Sequence, residues 1–340
     1  SLMMLCEAVR AGLGRAAIIT GEPGMGKSRL IREWRAAALE RELTPIPSWI
    51  EGRCLSYGQG LAYHLIVDLL YSMMQISHGF EEPEVHQAWR KLLHEIFVDT
   101  TKSDEIQEIY PFLGHLLSLK LDEEAQEMVH SLDPQTLQTK YLSALRNLLQ
   151  KISSQYPIII ILEDLHWADP SSVELLTKTL PSISSEAILF CMITRLENDT
   201  PGWKLITTAR EILGDSITEI SLDALSVTES RQMVANLLEV EALPEKTRNL
   251  ILQKSEGNPF FVEEVIRMLI DRQAIVQSNG DWIAGANIEQ IEIPDNLQGL
   301  LMTRIDRLPE DVKHTLRVAS VIGRQFPVKV LEQVLGTKQS

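Results

Sequence analysis

A chain of 340 residues, 44% hydrophobic and 23% charged, has globular composition and room for two or three cores of roughly 100–200 residues each. Its formal net charge of −15, from 47 acidic against 32 basic residues, repels a phosphate backbone and argues against non-specific nucleic-acid binding. No apolar run approaches the roughly 20 residues of a membrane-spanning helix. The opening "SLMMLCEAVR" also lacks the basic start and apolar block of a secretory signal.

Cys6, Cys54 and Cys191 lie far apart and form no C-x-x-C pair, which points to a reducing, cytoplasmic setting rather than a disulfide framework or a zinc site. The opening "SLMM" and the closing "GTKQS" read as edges of a longer chain.

In chain order, apolar β-like runs alternate with helical patterns through the first two-thirds of the sequence. "AAIIT" (16–20) ends at a glycine and leads into the amphipathic "SRLIREWRAAALERE" (28–42). "SWIEGR" (48–53), "PIIIIL" (157–162), "AILFCMIT" (187–194) and "SITEISL" (216–222) supply four further strands. Runs this apolar, parted by helices, suit a parallel sheet covered on both faces, so the expected architecture is α/β with right-handed crossovers.

The gap between the second and third strands is about a hundred residues, where a plain crossover takes roughly thirty. Patterns such as "PEVHQAWRKLLHEIF" (83–97) and "LQTKYLSALRNLLQKI" (137–152) make it a helical insertion over 81–155. From Glu81 to Pro134 there are thirteen Asp or Glu against four Lys or Arg. The plain reading is a set of solvated helix faces, and the sharper one is a docking surface for a basic partner.

After residue 222 the strands stop. Ser226, with Glu229 three places on, forms a capping box for "SVTESRQMVANLLEV" (226–240). A second helix starts near Pro244, and "GNP" (257–259) reads as a turn before a helix with Pro259 at its first position. Asn279-Gly280 between two short apolar stretches predicts a hairpin, and helical patterns resume from Pro294.

The chemistry begins at "GEPGMGKS" (21–28), a full G-x-x-x-x-G-K-[ST] match between a predicted strand and a predicted helix. Gly21, Gly24 and Gly26 let backbone N–H groups close around an anion, with Glu22, Pro23 and Met25 completing the turn. The helix beginning at Lys27–Ser28 directs its positive end at the same phosphates, and Arg29 extends the set. Lys27 supplies a mobile charge for the terminal phosphates, and the Ser28 hydroxyl is a hard oxygen ligand suited to Mg²⁺.

Five apolar residues in "PIIIILEDLHWAD" (157–169) run into adjacent carboxylates, Glu163 and Asp164. Two like charges at the end of a buried strand need a cation, most simply the Mg²⁺ of a nucleoside triphosphate. Consecutive strand residues face opposite ways, which predicts two roles: Glu163 for the metal, through water, and Asp164 for polarising the attacking water. The reverse division satisfies the same chemistry. His166 and Trp167 are expected to pack the loop, because one His lacks the orienting partner of a general base. Asp169 with Pro170 reads as a helix N-cap. At the end of the fourth strand, Arg195 offers a planar cation able to report a γ-phosphate.

With the loop, "ILEDLHWADPSS", "ITR" and "EGNPFFVEEV" in order, the chain resembles a STAND-class ATPase module, a signal-transduction relative of AAA+ enzymes. Such modules occur fused to bacterial class III adenylyl cyclases, LuxR-type activators or protein kinases. The resemblance makes Gly21–Ser28 the Walker A element, Glu163-Asp164 Walker B and Arg195 sensor 1, and it sets Pro259 against adenine. It implies a P-loop NTPase core over 1–222, a helical lid over 223–293 and the start of a winged-helix domain over 294–340. The chain departs from the family twice. It begins just after where a base-holding G-R-E-type segment would lie, and its acidic pair is Glu-Asp rather than Asp-Asp or Asp-Glu. A shorter second acid suits slow hydrolysis.

The expected function is a regulatory switch that binds ATP or ADP with Mg²⁺, hydrolyses slowly and couples nucleotide state to self-association and to a fused effector domain. Alternatives are an AAA+ loader or initiator acting on DNA, which the acidic balance disfavours, and a non-catalytic nucleotide-binding scaffold. A small-molecule kinase is more distant, since no substrate-pocket signature accompanies the loop.

Overall fold

The computed structural model describes residues 2–41, 44–97, 103–238, 244–278, 281–285, 288–323, 326 and 328–336. The chain divides into two compact units, one of Ser1–Gly21 with Ser28–Ser221 and one of Glu22–Lys27 with Leu222–Ser340.

The first unit is built on β1 (Arg15–Gly21), β2 (Ser48–Arg53), β3 (Ile158–Glu163), β4 (Ile188–Thr194) and β5 (Ile217–Leu222). They form a five-stranded parallel sheet in the order β2-β3-β4-β1-β5. Each begins and ends within a residue of the sequence reading, because the signal is local: β1, β3 and β4 are buried nearly end to end, and only apolar runs tolerate that. The register sets Thr20 beside Thr194, Leu162 beside Met192 and Arg53 beside Glu163. The carboxyl ends of β1, β3 and β4 therefore share one edge of the sheet.

Helices α1 (Leu2–Arg10), α2 (Lys27–Glu40) and α3 (His64–Met73) come before the insertion. The sequence reading gives residues 2–10 no element. In the structure α1 buries Leu2, Leu5, Cys6 and Val9, an i, i+3, i+4, i+7 stripe short enough to pass unnoticed. The insertion is helical as expected: α4 (Glu82–Ile96), α5 (Ser103–Gln107), α6 (Tyr110–Leu116), α7 (Glu123–His130) and α8 (Pro134–Ser153). Its Trp89, Phe112, Leu113 and Leu148 lie in the same apolar cluster as Ile160 and Phe190 of the sheet.

Two more helices, α9 (Pro170–Ile183) and α10 (Pro201–Leu213), complete the unit. Asp169 caps α9 through Ser172 N at 2.8 Å. It also serves α3, whose own N-cap residue Tyr63 has no capping side chain. Asp169 accepts from Tyr63 N at 2.9 Å and Leu65 N at 3.3 Å, and Ser172 Oγ accepts from Ile66 N at 3.3 Å. One carboxylate, 2% exposed, thus ends two helices.

The second unit carries α11 (Val227–Leu238), α12 (Glu245–Ser255), α13 (Pro259–Asp271), β6 (Ile275–Ser278), β7 (Asp281–Ala284), α14 (Leu297–Ile305), α15 (Glu310–Ile322) and α16 (Val328–Leu335). The capping box holds: Glu229 N donates to Ser226 Oγ at 3.2 Å, and Ser226 N to Glu229 Oε2 at 2.8 Å. Pro259 opens α13 as expected. Strands β6 and β7 pair antiparallel with Ser278 opposite Asp281, while Asn279-Gly280 lies outside the described residues. Around α13, Val262, Val265 and Leu269 pack with Ile251, Ile275 and Leu300.

All three cysteines are free and buried, and burial pushes each thiol above its ordinary range. The folded protein should therefore show negligible reaction with an aromatic disulfide reagent at neutral pH, and all three thiols should titrate after denaturation. Asp169→Ala should lower stability by about 2–4 kcal/mol in urea unfolding, since it leaves the amide ends of two helices unmet.

Candidate functional site

Between β1 and α2 the chain turns through Glu22–Lys27, with Gly24 and Gly26 at φ of +86° and +88°, a region L side chains rarely enter. Lys27 Nζ donates to the Glu22 carbonyl at 3.1 Å, folding the side chain back across the turn. Ser28 lies exposed in the first turn of α2. Arg29 points away along that helix, 4.0 Å from Glu33, with both side chains well exposed.

The loop carbonyls have partners within the second unit. Asn258 Nδ2 donates to Pro23 O at 3.0 Å, and Phe260 N donates to Gly24 O at 3.3 Å. The segment that the sequence reading takes as a simple turn thus touches the phosphate loop directly.

At the carboxyl edge of the sheet, β3 ends at Glu163 and Asp164 swings into the left-handed region, φ 56° and ψ 39°. The strand alternation expected to separate the two acids therefore stops one residue early. Both face Arg53, the last residue of the neighbouring β2. Its Nη2 pairs with Glu163 Oε2, and its Nε lies 3.8 Å from Asp164 Oδ2. The sequence reading missed Arg53. Its backbone is fixed as well: Arg53 N donates to Asp68 Oδ2 of α3 at 2.6 Å, and Cys54 N donates to Glu163 O at 3.0 Å.

Asp164 heads a short 3₁₀ turn, Leu165–Trp167. His166 is buried there, its ring 5.2 Å from that of Trp167, which is the packing role expected. Asp tolerates the left-handed region better than most residues, but the conformation still stores strain, a feature concentrated at functional sites.

Strand β4 lies between the loop's strand and the acids' strand, so its tip stands at the same edge. Thr194 there is fully buried and its hydroxyl has no hydrogen-bond partner among the described residues. Arg195 follows, 3.6 Å from Glu197 and partly exposed.

This donor set fits a nucleotide with its divalent ion. In the first unit Ser28, Glu163 and Asp164 offer hard oxygens, and Thr194 holds an unspent hydroxyl at the same edge as the acids. No three His, Cys, Asp or Glu of the described residues come together to hold a metal. Mg²⁺ that keeps its waters and phosphate oxygens needs only one or two protein ligands.

Fold and loop together define an α/β P-loop nucleotide-binding core. A family model described as "AAA ATPase domain" matches residues 1–192, and the chain belongs to that family. A model described as a domain of unknown function matches 226–282. An uncharacterized protein of Rhizobium meliloti (strain 1021) is 23% identical over 343 residues, covering 97% of this chain. The chain spans 29% of the length of that relative. Similar solved structures include the ORC1 protein of Aeropyrum pernix in complex with DNA, at 14% identity and TM-score 0.47, covering 94% of this chain and 70% of that one. Another is a STAND protein with a tetratricopeptide repeat sensor from Pyrococcus horikoshii, at 12% identity and TM-score 0.46, covering 99% and 36%. Among the described residues no helix is long and apolar enough to cross a membrane.

Removing the shared cation takes a counter-charge from both carboxylates at a partly shielded strand end. Arg53→Met should cost about 1–2 kcal/mol in chemical denaturation. Adding Glu163→Gln should restore part of that loss, a coupling that a double-mutant cycle measures.

Proposed function

We propose that this chain is the nucleotide-dependent switch module of a larger signalling protein, binding ATP and hydrolysing it slowly. The observation that supports it most is the complete phosphate-loop sequence between β1 and α2, with an acid-tipped β3 two strands away in the order expected of such a core.

In this reading the amides of Gly21–Ser28 bind the phosphates and Lys27 leaves the Glu22 carbonyl for the terminal pair. Ser28 and Glu163 would hold Mg²⁺, Glu163 through water. When bound, the ion offsets charge on the phosphate oxygens. Asp164 orients and polarises the attacking water, and the shorter Asp at this position keeps turnover low. Thr194 and Arg195, at the β4 tip, would contact a γ-phosphate, so that ATP and ADP make different contacts. Glu22, Pro23, Met25 and Arg29 belong to the loop segment, and Pro259 lies against adenine on the STAND resemblance.

Residues 223–293 then act as a lid and 294–340 as the start of a winged-helix domain. A ligand shifts conformations only by its difference in affinity, so the γ-phosphate contacts supply the switching energy. The output would pass to a cyclase, kinase or transcription-activating domain and to nucleotide-dependent self-association. The net charge of −15 weighs against a DNA-loading role.

Calorimetry with ATP or ADP plus Mg²⁺ should show binding that Lys27→Ala weakens by about 100-fold, the scale of losing charge-assisted phosphate contacts. Single-turnover phosphate release should fall sharply in Asp164→Ala while nucleotide affinity holds. Identical scattering profiles of the full-length protein with ATP and ADP would refute the switch.

A further inference from the structure

Asn258 performs two tasks with one side chain, both inside the second unit. Its Oδ1 accepts from Phe260 N at 3.0 Å and Phe261 N at 3.2 Å, capping α13. Its Nδ2 donates to Pro23 O at 3.0 Å. Phe260 N also lies 3.3 Å from Gly24 O, so two consecutive loop carbonyls rest on the start of α13. The approach is close: a Cβ on Gly24 would stand 2.5 Å from Asn258 Oδ1.

The consequence follows from peptide geometry. In a planar trans peptide the carbonyl and the next residue's N–H point opposite ways. Holding Pro23 O therefore fixes the direction of the Gly24 N–H, while the Met25 N–H, in the peptide plane of Gly24 O, itself donates to Glu22 O at 3.3 Å. A phosphate loop binds through such amides, and its affinity depends on their being aimed before the anion arrives.

We propose that Asn258 is a positioning residue for the phosphate loop, presetting its amides for an anionic phosphate and carrying the loop's occupancy into α13. The proposal rests on the nucleotide-binding reading above and adds a residue and a route to it. Helix α13 is anchored further along: Glu264, 2% exposed, pairs with Arg267 of the same helix at 3.2 Å and with Arg304 of α14. A shift at Asn258 is therefore felt by a helix tied to the next segment, not by a free end.

The cap and the tie can be separated. Serine caps a helix about as well as asparagine but is one bond too short to reach Pro23 O; threonine behaves similarly. Aspartate is unsuitable, since its charge would itself repel phosphate. Asn258→Ser and Asn258→Thr in the intact protein should melt close to the wild type. Each should bind ADP and ATP with Mg²⁺ about tenfold more weakly, the loss of one hydrogen bond's worth of preorganisation. In nucleotide-free protein, amide hydrogen exchange over Glu22–Lys27 should speed up, and added nucleotide should no longer slow exchange in α13.

Folded variants that bind both nucleotides within twofold of wild type, with unchanged loop exchange, would overturn the proposal. Should the wild type bind neither nucleotide, the switch reading fails instead, and the exchange comparison still decides the tie. Faster loop exchange in the variants would support it, and equal exchange would overturn it.

Discussion

A strand buried on both faces and ending in two carboxylates can exist only if something positive meets them at its tip. In this protein the guanidinium of Arg53 does so, delivered by β2, which pairs with β3 in parallel so that Arg53 and Glu163 are level. Everything at the carboxyl edge is organised around that requirement. Asp68 fixes the Arg53 backbone, the left-handed turn at Asp164 brings the second acid within reach of the same cation, and the 3₁₀ turn that follows leads to Asp169. Asp169 in turn ends both α9 and α3, the helix that carries Asp68. The acids are thus part of a closed chain of polar contacts rather than a loose strand end.

That closure bears on what a magnesium-bearing nucleotide would meet. The acids already have a counter-charge, so any divalent ion drawn to Glu163 competes with Arg53 for the same oxygens.

The phosphate loop shows a complementary economy. Its Pro23 and Gly24 carbonyls are met by Asn258 Nδ2 and Phe260 N, and Gly24 is small where Asn258 comes close. In sequence, "GNP" reads as a turn before a helix with Pro259 at its first position, to which the STAND resemblance adds only a role for that proline. The tie to the loop could not be read there, since Asn258 and Pro23 are 235 residues apart along the chain. Arg53 escaped notice for the same reason. It was correctly placed at the end of a predicted strand, but only the neighbour relation of β2 and β3 gives it two carboxylates to face.

The sequence by itself determined the five strands, the glycine turn with its lysine and serine, the acidic pair, the caps at Asp169 and Ser226, and Pro259 at the start of a helix. These are short-range matters: burial of continuous apolar runs, φ preferences and hydrogen bonds spanning a few residues leave their mark in neighbouring letters. Tertiary structure decided the strand order, the counter-ion at the acids, the second helix end closed by Asp169 and the tie from α13 to the loop. It also decided that Asp164 leaves the strand and turns toward its neighbour's cation instead of alternating away from it. Each of these depends on which distant segments become adjacent, a choice made by packing the whole core at once rather than by any local stretch of chain.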